Sequence, residues 1–251
     1  MMLETALAWT QRLILFATFW QALELILIRQ YFGNNSVWPA HDLRSKLHFF
    51  FKPRIFLALL GLQLIACLAG LIYPSALFVI FVLFTTLIAS LRFRGTFNGG
   101  SDSMTVLILV CLSIAKLSDG WPRLQQACLA YIAFQLILSY FVAGLAKVRK
   151  MSWRSGQALK ELLCYSHYIV PTRLQKILQR PGLSRALALM TLGFELLFPL
   201  VLIHPMICLS GIALGFLFHA FNVWALGLNR FLFAWISGYP ALLYCCALLS
   251  R

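Results

Sequence analysis

The chain has 251 residues, of which 61% are apolar and only 11% charged, and Lys and Arg outnumber Asp and Glu by 21 to 7. So few charges cannot cover the surface of a soluble domain, which excludes an ordinary soluble fold. The net charge of +14 does not mark a nucleic-acid binder: the basic residues lie in breaks between long apolar runs, with no aromatic-interleaved patch and no Gly-rich phosphate loop.

This pattern predicts an all-α fold, a polytopic integral membrane helical bundle forming one transmembrane domain over 1–251, with the lipid bilayer as its first partner. A crossing helix needs about 20 apolar residues. Eight segments qualify, near 7–28, 54–73, 75–92, 103–118, 123–146, 184–203, 206–228 and 231–249.

The first run is interrupted by Arg12 and Glu24 and has no small-residue cleavage site after it, which argues against a cleaved signal peptide. Glu24 shares a helix face with Gln21 and Ile28 and suits a polar contact inside the bundle. The connection 29–53 contains "HDLRSKLHFFFK", where Leu43, Leu47, Phe50 and Phe51 alternate with Arg44, Lys46 and His48 as in a short amphipathic helix in the headgroup layer. Tyr73-Pro74-Ser75 predicts a tight turn into the third span.

Before the fourth span, "TFNGGSDSM" brings Asn98, Gly99, Gly100 and Asp102 together. Two readings stand: a helix N-cap by Ser101 or Asp102, or a Gly-rich re-entrant turn that offers backbone amides and Asp102 to a ligand. Lys116 and Asp119 close that span early.

The fifth span ends in "YFVAGLAKVRKMSW", which carries Tyr140, Lys147 and Trp153. The long connection 147–183 contains a second amphipathic stretch, "TRLQKILQR", with Leu174, Ile177 and Leu178 opposite Arg173, Lys176 and Arg180. Trp38, Trp121 and Trp153 sit near span ends, as interfacial tryptophans do.

The sixth span holds Glu195 in "LGFELLFPLVLI", with no basic neighbour along the span, and His204-Pro205 predicts another tight turn. The seventh holds His219 with Asn222 at i+3, on the same helix face. Seven cysteines fall in or beside apolar segments with no CxxC and no Cys/His metal spacing, so no metal is expected; Cys245–Cys246 is the one vicinal pair. No Ser/His/Asp or Cys/His catalytic constellation is present.

Orientation follows from the basic residues. Seventeen Lys and Arg flank the odd-numbered connections, against Lys116, Arg123 and Arg251 on the other side. This asymmetry predicts cytoplasmic odd connections, both termini extracytoplasmic, and Lys147 at the cytoplasmic end of its span in a bacterial inner (plasma) membrane.

Ionisable groups inside spans are costly and each requires an account. Lys147 is either an anchor with its ammonium among headgroups, or a base facing the bundle interior, where loss of water favours the neutral amine. Glu195 must be protonated or paired. His219 is either a hydrogen-bonded core residue or a pocket group.

Four stretches, "YFVAGLAKVRKMSWRSGQAL", "FNGGSDSMTVLIL", "FELLFPLVL" and "FHAFNVWALGLNRFLFAWISGYPALL", resemble segments of the vitamin K-dependent gamma-carboxylase and its bacterial relatives, the horizontally transferred transmembrane domain (HTTM) family, over roughly residues 90–245. The resemblance implies that Lys147 is a catalytic base acting on a quinol of the vitamin K hydroquinone kind. It matches His219 to a pocket histidine and Glu195 and Asp102 to acidic positions with no assigned role, and His219 and Glu195 are expected as companion catalytic residues that polarise or position. Substrate- or cofactor-binding roles are expected for Asn98, Gly99, Gly100, Asp102, Tyr140, Trp153 and Asn222. One serine is inserted before Asp102 relative to the family's Asn-Gly-Gly-Asp segment. The match does not extend to the carboxylase's large lumenal domain. The family's lysine faces the lumen, whereas the charge count puts Lys147 in the cytoplasm.

The expected function is therefore a membrane enzyme, carboxylase-like or epoxidase-like (an oxidoreductase or lyase), acting in maturation of a small precursor peptide. The alternative is a non-catalytic membrane protein of immunity or scaffold type that binds a peptide, a lipid or a partner membrane protein. Transport is disfavoured, because no repeat and no matched pair of broken helices is present.

Overall fold

A computed structural model describes residues 2–32, 48–93, 99–165 and 168–250. Trp38, Asn98 and most of the amphipathic stretch expected within 29–53 lie outside the described residues. The helices are α1 (Leu3–Leu27), α2 (His48–Phe51), α3 (Pro53–Ile72), α4 (Ala76–Arg92), α5 (Gly100–Leu117) and α6 (Pro122–Val148). They continue with α7 (Met151–Arg154), α8 (Gln157–Cys164), α9 (Thr172–Leu178), α10 (Pro181–Leu197), α11 (Pro205–Leu226) and α12 (Asn229–Leu249).

Six of the apolar helices are long enough to cross a membrane, and α4 is a shorter apolar helix of 17 residues. The protein is an all-α, polytopic membrane bundle. Each of the eight expected segments is helical. The two proline turns fall where expected: Ser75 caps α4 by accepting from the Leu77 amide at 3.3 Å, and His204 caps α11 by accepting from Met206 at 3.2 Å. All seven cysteines are free.

The helices form two compact units, the first comprising Met1–Ile132 with Phe233–Ala241. Its interior has a polar seam, because in lipid it is the inward face that can satisfy polar groups. Gln63 Nε2 donates to the Thr18 carbonyl at 3.2 Å, Thr18 Oγ1 meets Cys67 Sγ at 3.4 Å, and Gln11 Nε2 reaches the Gly70 carbonyl at 3.4 Å. Together these hold α1 against α3.

At one end of this unit Phe32, Phe51, Phe56 and Phe93 form an aromatic cluster. The buried Arg92 lies within it, 5.4 Å and 4.9 Å from the Phe32 and Phe56 rings. Its guanidinium donates to the Phe51 and Phe32 carbonyls. Those carbonyls end α2 and the 3₁₀ turn Arg29–Phe32, so one cation closes two helix C-termini that would otherwise expose bare acceptors to an apolar surround.

The start of α5 corrects one expectation: neither Ser101 nor Asp102 is the N-cap. Gly99 takes that position at φ +50°, with no side-chain cap. A positive φ suits glycine, and it shifts Ser101 and Asp102 into the buried first turn. There Gln21 Nε2 donates to Asp102 Oδ1 at 3.2 Å.

The second unit comprises Ala133–Leu232 with Leu242–Arg251. On α11 the buried positions Cys208, Gly211, Gly215 and His219 recur every three or four residues, while Leu209, Leu214 and Leu217 are exposed. Small residues inward and leucines outward is the membrane arrangement, since lipid is as apolar as any core. The close approach is visible at Gly211, where a Cβ would lie 2.3 Å from Val201 Cγ1. The stretch "TRLQKIL" is a helix as expected, but Leu174 and Leu178 are buried against Leu163, Val170 and Ala225. Its two leucines cover protein, while Thr172, Arg173, Lys176 and Ile177 turn outward.

Candidate functional site

Tyr140, Gly144 and Lys147 follow one another at four- and three-residue steps along α6, and so form one stripe of that helix. Gly144 sets the distance to α10: a Cβ there would lie 2.9 Å from Glu195 Cβ and 3.1 Å from the Leu196 backbone nitrogen. With glycine in that position, Lys147 Nζ reaches Glu195 Oε1 in a direct ion pair. The carboxylate is buried, with 3% of its side chain exposed, whereas 24% of the lysine side chain is open. Glu195 Oε2 is buried with no hydrogen-bond partner among the described residues. The Lys147 ammonium also lies 5.3 Å from the Trp153 ring, a cation–π contact.

Two turns earlier on the same stripe, Tyr140 Oη and His219 Nε2 are 2.8 Å apart, both side chains buried. Phe194, Phe198 and Phe218 surround them, with the Tyr140 and Phe198 rings 4.1 Å apart. Phe194 also immediately precedes Glu195, so α10 contributes to both polar pairs.

The structure thus brings together Lys147, Glu195 and Trp153, and beside them Tyr140 and His219. Asn222 does not join His219. Its side chain makes no hydrogen bond among the described residues, and its backbone carbonyl accepts from Gly227 and Leu228 where α11 ends. Gly99, Gly100 and Asp102 belong to the first unit, where Asp102 is held by Gln21.

Along its own span Glu195 has no basic neighbour. The neighbour comes from 48 residues earlier in the chain. The usable signal was the two opposite charges themselves, since charges at membrane depth pair with one another. Lys147 thus has a carboxylate for a partner.

Such a pair has a specific chemical capacity. Water stabilises separated charges far better than an apolar interior does, so burial brings the ammonium–carboxylate form and the neutral amine–acid form closer in energy. The Lys147 Nζ and Glu195 Oε1 atoms face each other directly, with no atom between them. Among the described residues no three His, Cys, Asp or Glu side chains gather as a metal site. No family model, curated protein or solved structure matches this chain.

Proposed function

We propose that the protein is an integral membrane enzyme that uses Lys147 as a base, with Glu195 as the store for the lysine's proton, on a substrate bearing an acidic O–H. The observation that carries the reading is a buried carboxylate paired with a partly open lysine. The lysine can meet a substrate on its open side while Glu195 exchanges a proton with it from within.

In this scheme Lys147 passes a proton to Glu195 and becomes a neutral amine. The amine then takes the O–H proton of the substrate, and the regenerated ammonium remains beside the new anion as its counter-ion. Tyr140 and His219 tie α6 to α11 two turns before Lys147.

The resemblance to the vitamin K-dependent carboxylase and HTTM family supports a quinol as the partner of this base. The Trp153 face beside the Lys147 ammonium fits an aryl hydroxyl, which needs a flat apolar wall and a proton acceptor. When bound, a quinol of that kind supplies the oxygen-reactive centre. Eight membrane crossings, cytoplasmic odd connections and a small precursor peptide as the final acceptor complete the proposal.

The test is co-expression with a small peptide encoded beside this gene, followed by mass spectrometry of that peptide. The proposal expects a mass change with the wild-type protein and none with Lys147→Ala at equal membrane abundance. Peptide that co-purifies with the wild-type protein unchanged in mass would instead establish a binding protein.

A further inference from the structure

We propose that the connection between α6 and α10 carries a binding cleft for a phosphate monoester or diester group, supplied by an anionic phospholipid or by free phosphate. The cleft encloses about 530 Å³ and is lined by Met151, Arg154, Ser155, Gly182 and Arg185. It is separate from the Lys147–Glu195 pair and does not depend on the function proposed for it.

Three observations carry the inference. First, the walls are fixed to one another. Gly156 adopts φ +82°, and a Cβ there would lie 2.4 Å from the Arg185 backbone nitrogen and 2.6 Å from the Ser184 carbonyl carbon. Only glycine permits this approach, and it holds Arg154 and Ser155 against the first turn of α10.

Second, neither guanidinium is neutralised. Arg154 and Arg185 have no acidic partner among the described residues, and the one carboxylate in the connection, Glu161, accepts from Gln157 at 2.9 Å. Residues 147–185 contain nine Lys and Arg against that single acid. Two forked donors lining one cleft is the arrangement that binds a phosphate by paired hydrogen bonds.

Third, the remaining lining suits an anion with an apolar attachment. Gly182 lies in the first turn of α10 with open space where a side chain would be; the Leu183 and Ser184 amides of that turn already donate to the Arg180 carbonyl. Met151, 70% exposed, gives the cleft an apolar rim. Ser155 Oγ donates to the Ser152 carbonyl at 3.1 Å and accepts from the Gln157 amide at 3.5 Å, so the two arginines are the recognising groups.

The experiment measures retention of phosphatidylglycerol by the full chain in phosphatidylcholine vesicles doped with it, using native mass spectrometry, with and without added inorganic phosphate. Substituting both arginines, Arg154→Gln with Arg185→Gln, should weaken retention by about a hundredfold, or about tenfold for each guanidinium. The paired Lys variants, which keep charge but lose the fork, should fall between. Lys176→Gln, an exposed base on α9 outside the cleft, should retain lipid as the wild type does. Displacement of the lipid by inorganic phosphate would identify free phosphate as the ligand, and undisturbed retention identifies the headgroup. Equal retention by wild type and the double Gln variant, or an equal loss in Lys176→Gln, would overturn the proposal.

Discussion

Breaking the Lys147–Glu195 pair from its two ends should have unequal effects, because the partners differ in burial. Lys147→Met strands a carboxylate that is 3% exposed, and leaving a buried charge unpaired costs about 3–5 kcal/mol. Glu195→Leu strands an ammonium that is 24% exposed on a flexible four-carbon stem, which can swing toward water, so the loss should be about 1–2 kcal/mol. The double variant Lys147→Met/Glu195→Leu removes both charges and fills the space with apolar atoms. It should lie within about 2 kcal/mol of the wild type, less destabilised than Lys147→Met alone. The assay is equilibrium unfolding of the four proteins in mixed micelles by SDS titration, followed by tryptophan fluorescence. The expected coupling of about 3 kcal/mol far exceeds the ~0.5 kcal/mol within which independent sites add. Additive effects, or a larger loss from Glu195→Leu than from Lys147→Met, would refute the pairing and the burial asymmetry together.

Gly156→Ala should destabilise by about 2 kcal/mol or more, since it combines a positive φ with a backbone clash, whereas Gly61→Ala meets nothing within 4 Å and should be tolerated; thermal unfolding of both reads the difference. Arg92→Met should cost about 2–4 kcal/mol, because the Phe32 and Phe51 carbonyls lose a charged donor inside an aromatic cluster, and micellar unfolding measures it. Reporter fusions should read as extracytoplasmic at Arg251 and cytoplasmic near Gln175, following the distribution of basic residues, and the opposite pattern would place Lys147 on the lumen-like side.

The helices were legible because a membrane span is written in length and hydropathy: 54–73 became Pro53–Ile72 and 206–228 became Pro205–Leu226, each opened by its proline. Which face of a span turns inward was not legible. Lipid and core are equally apolar, so α11 carries leucine outside and glycine inside, and an apolar pattern cannot separate the two. The meeting of Lys147 with Glu195, and of Gln21 with Asp102, depends on that facing and on close approaches such as Gly144, which sequence spacing does not encode. The turn into α5 was misassigned for a local reason. A capping serine and aspartate sit directly after a glycine pair, and the positive φ of Gly99 moved the helix start ahead of them.

The account rests on Lys147 losing and regaining a proton, and Lys147→Arg isolates that property. Arginine keeps the positive charge and can still pair with Glu195, so folding and membrane abundance should match the wild type, yet it cannot deprotonate at any accessible pH. The measurement is the mass of the co-expressed peptide with wild type, Lys147→Arg and Lys150→Ala at matched membrane abundance. The account predicts product with wild type and Lys150→Ala and none with Lys147→Arg. Product from Lys147→Arg at the wild-type level would contradict it and leave Lys147 as a structural ion-pair partner.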